Sequence, residues 1–284
     1  MKKIRFRNKY LRIIIYTILG LFLIYIYFIL LINTNFKDYL SYSINNNINN
    51  KFSYKTNKLV YNSLNRIVNI NDNKKEEEII IENKVVNPLI YIYNTHDSEK
   101  YNLPFTNDYS ITPDVKIASF ILKDHLNDLN IDSYVETKSV YNYIKKNNLN
   151  YNISYDISRK YITDLKNKYN FKIYIDLHRD SVKYNATLYT KNNKKYAKIL
   201  FVLGKKNKNY KNNLKFINYI NDKLNKDYKG LSRGILYRDD ARFNQDISDN
   251  AILLELGGVD NTIEELNNTL YILANILKEY LNEN

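Results

Sequence analysis

The stretch Phe171-Lys172-Ile173-Tyr174-Ile175-Asp176-Leu177 (FKIYIDL) decides the fold of this chain. It is a short run rich in β-branched and aromatic residues, which is typical of a buried strand. Further apolar runs lie upstream at 89–93 and 133–135 and downstream at 231–237 and 251–256, and helical patterns separate most of them. Strands that alternate with helices predict an α/β fold, with a mostly parallel sheet and helices on both faces.

Capping and turn residues predict three local features. The segment 112–114 (TPD) offers a capping hydroxyl followed by Pro at the first helical position. The segment 261–264 (NTIE) is a capping-box-like start of a helix that runs to the end of the chain. The runs 188–190 and 197–203, joined across Asn192-Asn193, predict a hairpin.

The composition narrows the possible chemistry. The 284 residues include no Cys, three His and six Gly, and the formal net charge is +13. The lack of Cys excludes disulfides, thiol nucleophiles, Fe–S clusters and Cys-bound zinc. The chain contains neither a GxGxxG nor a GxxxxGK nucleotide-binding motif. Any metal site must therefore use His, Asp and Glu.

The amino terminus predicts a membrane anchor. Residues 1–12 carry six basic residues and no acid, and residues 13–33 carry no charge. As a helix, the uncharged run spans the hydrocarbon core of about 30 Å. A cleaved signal peptide would have a shorter apolar run followed by small residues. We expect one transmembrane helix at 13–33, with the basic segment in the cytoplasm and the remainder outside, at the cell membrane.

The rest of the chain divides at Pro88. Residues 34–87 are polar, low in complexity and rich in charge, so they predict a stalk or linker. Residues 88–284 carry the strand and helix patterns of one domain. Basic residues there are dispersed and form no stripe with interleaved aromatics, so we expect no nucleic-acid partner. An exported, mildly positive domain suits an anionic surface such as a bacterial wall.

Polar clusters follow three of the predicted strands. They are THDSE at 95–99, DLHRDS at 176–181 and ELGG at 255–258. Ligand sites in α/β sheets lie at the carboxyl ends of strands, so parallel strands would bring the clusters together. A hydrolytic zinc site needs two imidazoles, a carboxylate and one open position, with a separate carboxylate to move protons. The residues that can supply this set are His96, Glu99, His178 and Glu255, with Asp97 and Asp180 as rival ligands.

Several of the polar residues also have a purely structural interpretation. His125 lies on the apolar side of its predicted helix and is interpreted as a packed core residue. His178 can be a hydrogen-bonded residue at a strand end. Asp176, Arg179 and Asp180 can form a purely structural ion-pair cluster, and Arg179 and Asp180 can equally orient substrate.

Glu255 and Gln245 each have a structural and a functional interpretation as well. Glu255 follows the apolar run 251–254, where a carboxylate is costly without a partner, which favours a functional role over a simple salt bridge. Gln245, next to Asp246, either orients the site or shapes a loop.

In combination, the motifs resemble the stage II sporulation protein P family. The motifs are THDSEKY (95–101), IDLHRDS (175–181), VLGKKNKNY (202–210), RG (233–234), NQD (244–246) and NAILLELGGVDNTIEE (250–265). Their order and spacing match along residues 88–284. The family's first motif has His where Asn94 stands and Ser where Lys100 stands. Since His96 matches the family's ligand, the resemblance still implies an active site.

The resemblance implies a function and its parts. The family is similar to zinc-dependent N-acetylmuramoyl-L-alanine amidases. Its members are membrane-anchored peptidoglycan hydrolases that act in forespore engulfment. They are also credited with cross-link endopeptidase activity. It implies Zn²⁺ on His96 and His178 with Glu99 as third ligand, and Glu255 as the catalytic carboxylate. The implied partners are peptidoglycan and the stage II sporulation proteins D and M. The alternative is a non-catalytic wall-binding or scaffold module with an amidase-like fold.

Overall fold

The computed structural model describes residues 87–101 and 113–284, together with Tyr16, Leu19 and Gly20, which are helical. The predicted segments 1–12, 13–33 and 34–87 lie almost entirely outside these residues, so the anchor and the stalk stay predictions. Within the described part, no helix combines the length and apolar character needed to cross a membrane.

The domain is built from eight strands and six helices within the described residues. The strands are β1 (Ile90–Tyr93), β2 (Ser133–Val135), β3 (Ile173–Asp180), β4 (Leu188–Lys191), β5 (Lys194–Ala197), β6 (Ile199–Gly204), β7 (Ser232–Arg238) and β8 (Ala251–Gly258). The helices are α1 (Val115–Asp128), α2 (Val140–Lys146), α3 (Ser154–Lys166), α4 (Tyr184–Thr187), α5 (Tyr210–Asp227) and α6 (Ile263–Glu283). Two 3-10 turns lie at Tyr151–Ile153 and Gln245–Ile247.

Six of these strands form one sheet in the order β2-β1-β3-β8-β6-β7. The first four are mutually parallel, whereas β6 pairs antiparallel with β8 and parallel with β7. The predicted α/β fold with a mostly parallel sheet is confirmed. Because β6 and β7 run the opposite way, their amino ends lie at the edge where β1, β3 and β8 end.

Alternation along the strands sends side chains to two different layers. Ile173, Ile175 and Leu177 of β3 are buried in the large core cluster, which also contains residues of α1, α5 and α6. Tyr174 of β3 packs instead in a second cluster with Ile162 of α3. Helices therefore cover both faces, as predicted. Asp176 and His178 share the parity of Tyr174, so they lie on the α3 side.

Both predicted helix starts are displaced along the chain. Asp114 caps α1 by accepting a hydrogen bond from the Ile117 N–H, so Pro113 precedes the helix rather than opening it. At α6 the capping box is formed by Thr262 and Glu265, one residue beyond the predicted pair. Asn261 accepts a hydrogen bond from the Gly258 N–H at 2.7 Å instead, which closes the turn after β8. The predicted cap residue was therefore wrong for both helices. Asp114 and Thr262 have the extended backbone of a cap, and their side-chain oxygens accept hydrogen bonds from N–H groups of the first helical turn.

The predicted hairpin is half correct. Asn192 and Asn193 both have positive φ, at 50° and 59°, which is the conformation that a tight two-residue hairpin turn requires. β4 and β5 pair antiparallel across this turn. The second strand ends at Ala197, however, and 199–204 joins the main sheet as β6, because Ile199, Phe201 and Leu203 are buried in the large core.

Candidate active site

The three predicted polar clusters meet on the α3 side of the sheet. His178 of β3 is the register partner of Glu255 of β8. His96 follows β1, and its ring lies edge-on to His178 with 5.2 Å between centroids. Glu99 Oε2 lies 3.6 Å from His178 Nδ1. Residues that are distant in sequence thus form one cluster of two imidazoles and two carboxylates.

His96 is packed between aromatic rings. Tyr151 stacks on it at 5.1 Å and Tyr155 meets it edge-on at 5.6 Å. Burial lowers the pKa of His96, and the neighbouring His178 lowers it further. Among the described residues its buried Nδ1 has no hydrogen-bond partner. A neutral imidazole with an unused nitrogen is what a metal ligand requires.

His178 lies between two carboxylates and is 2% exposed. Its Nε2 is 2.9 Å from Asp176 Oδ1 and its Nδ1 is 3.6 Å from Glu99 Oε2. The Nε2 contact is close but poorly aligned, so it is an electrostatic contact rather than a hydrogen bond. Burial alone would lower the pKa of His178, but Asp176 and Glu99 outweigh it and raise the pKa well above its ordinary value.

Asp176 is the site residue whose place the sequence did not reveal. Its side chain is fully buried. It accepts hydrogen bonds from the Thr95 N–H at 2.9 Å and from Thr95 Oγ1 at 2.7 Å. The interpretation that placed it in an ion-pair cluster with Arg179 was wrong, because strand alternation directs it to Thr95 and His178. A carboxylate at an inward position of a buried strand was the available signal.

The two glutamates of the cluster have opposite electrostatic environments. Burial alone would raise the pKa of Glu99, but His178 and the Arg179 N–H, which donates to Glu99 Oε2 at 3.0 Å, hold that pKa below its ordinary value. Burial raises the pKa of Glu255 to about 7, and His178 only partly offsets this. Glu255 Oε2 is buried without a hydrogen-bond partner in the described part of the chain.

The raised pKa of Glu255 predicts a pH-dependent cost to stability. A group whose folded pKa exceeds its unfolded pKa stabilises the fold below the unfolded value, and this contribution is lost as pH rises through the folded value. Between the ordinary 4.5 and about 7, the loss amounts to roughly 3 kcal/mol. In the presence of chelator, Glu255→Gln is therefore expected to gain stability over the parent as pH rises, and to match it at about pH 4. Urea unfolding at several pH values measures this, and a difference that does not change with pH would contradict it.

Arg179 and Asp180 hold the end of β3. Arg179 Nε donates to the Lys100 carbonyl at 2.7 Å, and Nη1 donates to the Asp180 carbonyl at 3.1 Å. Asp180 forms an ion pair with Arg233 at 2.6 Å. Arg233 belongs to the RG motif, whose role was not predicted. These contacts tie the segment after His96 to β3, and the predicted substrate contacts of Arg179 and Asp180 stay predictions.

Gln245 lies apart from this cluster in its hydrogen bonding. Its side chain is buried and fastens the loop to β6, donating to the Val202 carbonyl at 2.8 Å and accepting from the Gly204 N–H at 2.9 Å. These contacts agree with the alternative in which Gln245 shapes the loop. The substrate-orienting alternative stays a prediction.

Three other candidates are engaged elsewhere. Asp97, a rival ligand, accepts from the Tyr141 N–H at 2.9 Å and pairs with Lys116 at 3.5 Å. Asp180, the other rival, is paired with Arg233. His125 is 4% exposed and its Nε2 is 2.9 Å from Asn267 Oδ1, which confirms the prediction of a packed core residue.

The residues of the cluster fit zinc in kind. Within residues 87–101 and 113–284, no three His, Asp or Glu side chains lie close enough together to bind one metal ion as they are placed. However, His178 Nδ1 and Glu99 Oε2 are 3.6 Å apart, close to the roughly 3.3 Å between two ligand atoms of tetrahedral zinc. His96 adds a buried Nδ1 that has no hydrogen-bond partner among the described residues.

Comparison with known proteins places the chain in a family. Residues 30–278 match the sequence profile of Stage II sporulation protein P (SpoIIP). The chain belongs to the stage II sporulation protein P family. This family member is 35% identical over 204 residues to stage II sporulation protein P of Bacillus subtilis strain 168, which covers 67% of this chain and 50% of that protein. It therefore spans about half the length of that relative.

Two solved structures that resemble this chain in part are structures of amidases. The CwlD amidase of Clostridioides difficile, in complex with the GerS lipoprotein, has a TM-score of 0.44 and 15% identity and covers 69% of this chain and 99% of its own. The catalytic domain of CwlV, an N-acetylmuramoyl-L-alanine amidase from Bacillus (Paenibacillus) polymyxa var. colistinus, has a TM-score of 0.40 and 12% identity. It covers 68% of this chain and 98% of its own.

Proposed function

We propose that this chain is a zinc-dependent peptidoglycan hydrolase that cleaves the amide between N-acetylmuramic acid and L-alanine during forespore engulfment. The observation that carries the proposal is the convergence of His96, Glu99 and His178 beside the partly buried Glu255. Membership of the stage II sporulation protein P family supports the role in sporulation.

The protein side chains have separate roles in this proposal. His96, Glu99 and His178 would hold Zn²⁺, which when bound polarises a carbonyl and lowers the pKa of a water molecule. The pKa directions suit these roles: His96 is neutral near pH 7 and Glu99 is ionised. The proton that Asp176 and Glu99 favour on His178 would be released when a cation binds.

Glu255 would move the proton. A pKa of about 7 lets one carboxyl group accept a proton from the attacking water and then deliver it to the departing amine. Its buried Oε2 has no hydrogen-bond partner among the residues that the structure describes, so no described protein group competes for this acceptor. Burial thus explains the raised pKa of the proposed base.

Asp176 is predicted to set the affinity for zinc. A carboxylate behind a metal-binding imidazole fixes the ring and raises its basicity, and its loss typically costs roughly 10- to 100-fold in metal affinity. Asp176→Asn is expected to weaken zinc binding by that amount, measured by competition with a chromophoric chelator. Asp164→Asn is the matched control, since Asp164 is 50% exposed in a pair with Lys138. Equal affinities in the two variants, with native circular dichroism, would contradict the role.

Digestion of purified sacculi tests the proposed reaction. The full-length chain, with and without chelator, is incubated with peptidoglycan, and the released fragments are identified by mass spectrometry. Amidase cleavage releases stem peptides with a free L-alanine amino group, whereas endopeptidase cleavage converts cross-linked dimers to monomers that keep their sugar. No released fragment, or release that chelator does not change, would contradict a zinc amidase.

The proposal includes a location and partners. We propose a single-pass protein of the cell membrane, anchored by residues 13–33, with the amino terminus in the cytoplasm and the enzyme domain outside. The proposed partners are peptidoglycan and the stage II sporulation proteins D and M. Protease accessibility of intact protoplasts tests the topology: digestion of residues 88–284 from outside is expected, and full protection would contradict it.

A further inference from the structure

Three aromatic rings lie beside and beyond His96 on the α3 side of the sheet. Tyr151 and Tyr155 contact the His96 ring at 5.1 and 5.6 Å, and Phe243 contacts Tyr155 at 5.5 Å. We call Tyr151, Tyr155 and Phe243 the aromatic wall. It starts at a proposed metal ligand and ends at the loop before β8, so it is continuous with the candidate active site.

The wall is not part of the hydrophobic core. Tyr151 is 42% exposed, and Tyr155 and Phe243 are partly exposed. None of the three belongs to the core clusters of the described domain. A fold gains little from leaving large rings open to water, and exposed apolar surface of this kind marks binding sites.

Phe243 is held in a conformation that a bulky residue rarely adopts. Its φ is 53°, and that of Asn244 is 55°, both in the left-handed region. The Asn244 amide donates to the Tyr155 carbonyl at 2.8 Å and to Ser158 Oγ at 3.1 Å. Backbone strain that neighbouring contacts enforce is concentrated at functional sites. The contacts that enforce it here also join the loop to the helix that carries Tyr155.

The fold leaves space for this loop on β6. A Cβ built on Gly204 would lie 2.5 Å from the Ala241 carbonyl oxygen and 3.0 Å from Phe243 Cδ2. The loop therefore needs glycine at this position to approach β6. Gln245 fastens it there through both of its amide atoms. Phe243 is thus placed beside Tyr155 by several independent contacts.

Charges next to the wall are largely neutralised in pairs. Arg159 and Arg242 share Asp246, at 2.5 and 3.7 Å, and Arg238 pairs with Asp240 at 3.1 Å. An acidic stem peptide would need unpaired cations, whereas a sugar ring needs flat apolar faces and neutral hydrogen-bonding groups.

We propose that the aromatic wall binds the sugar rings of the glycan strand next to the amide that is cut. Aromatic faces carry negative potential and attract the positive C–H edges that pyranose rings present. This inference rests on the proposed function, because it places the saccharide side of the substrate on the His96 side of the cluster. The peptide side would then extend away from the wall.

The test compares substrates of different glycan length. The full-length, zinc-loaded chain is given a muramyl peptide with one sugar and the same peptide on a tetrasaccharide of N-acetylglucosamine and N-acetylmuramic acid. The parent is expected to cleave the tetrasaccharide more efficiently. Phe243→Ala is expected to lose about tenfold in kcat/KM on the tetrasaccharide, through KM. Tyr151→Ala, whose ring also stacks on His96, is expected to lose more on the tetrasaccharide than on the single sugar. Tyr271→Ala is the matched control, since Tyr271 is 43% exposed on α6, which packs on the other face.

A binding measurement keeps the inference separate from the proposed function. Peptide-free tetrasaccharide is titrated calorimetrically into the parent, Tyr151→Ala, Tyr151→Trp and Tyr271→Ala chains. We expect weaker binding only in Tyr151→Ala, with Tyr151→Trp close to the parent. Equal binding of the tetrasaccharide in all four chains would contradict sugar binding by the aromatic wall. So would an equal loss of kcat/KM on the single-sugar and tetrasaccharide substrates. A parent that binds the tetrasaccharide but cleaves neither substrate would instead contradict the amidase while supporting the wall.

Discussion

Glu255→Gln is expected to abolish the release of stem peptides from sacculi. Glu255 is the partly buried carboxyl group beside His178, and burial raises its pKa to about 7. Glutamine keeps the shape of the side chain but can neither accept the water proton nor deliver it to the amine. A positioned proton-transfer group contributes roughly 10²- to 10⁴-fold, so turnover should fall by at least that factor while zinc remains bound.

The control for this variant is a glutamate at the surface. Glu279 on α6 is 54% exposed and pairs with Lys223, so Glu279→Gln removes the same charge without touching the cluster. Its turnover should equal that of the parent by mass spectrometry of released peptides. Unchanged turnover in Glu255→Gln would refute the assignment of the base, and loss of bound zinc in that variant would make Glu255 a ligand instead.

His96→Ala and His178→Ala are expected to lose zinc together with activity. Each substitution removes one of the two imidazoles, and a carboxylate with a single imidazole holds zinc far more weakly. Metal content after extensive dialysis should fall from about one zinc per chain to near zero. Elemental analysis by plasma mass spectrometry measures this on the same samples used for turnover.

The third histidine supplies the matched control. His125 is as buried as His178 but lies on α1 against Asn267. His125→Ala is expected to lower stability, because it leaves a cavity and removes the hydrogen bond to Asn267, yet to retain full zinc content. Zinc retained in both His96→Ala and His178→Ala would rule out the proposed ligands. No zinc in the parent would instead favour the alternative of a non-catalytic wall-binding module.

Much of the fold could be predicted from the apolar runs that mark its buried strands. β3 and β8 are continuous apolar runs, and such runs are typical of parallel strands buried on both faces. The antiparallel entry of β6 was not predictable in the same way. Ile199, Phe201 and Leu203 would suit either the hairpin or the main sheet, and burial in the large core decides between them.

Some residues of the candidate site could be predicted from the sequence and others could not. His96, Glu99, His178 and Glu255 were found because polar residues directly after apolar strands are conspicuous, and parallel pairing brings such ends to one edge. Asp176 was misplaced because its role depends on which face of β3 it occupies, and on Thr95 lying opposite. Tyr151 and Tyr155 lie among the 29 tyrosines of this chain, and nothing in the sequence separates them from the rest.

Anomalous diffraction at the zinc absorption edge, from crystals of the zinc-loaded chain, tests the account most directly. We expect one strong peak bonded to nitrogen atoms of His96 and His178 and to the Glu99 carboxylate, with Glu255 nearby but not bonded. A peak that leaves out either imidazole, or crystals of active protein with no peak at this edge of the sheet, would contradict it.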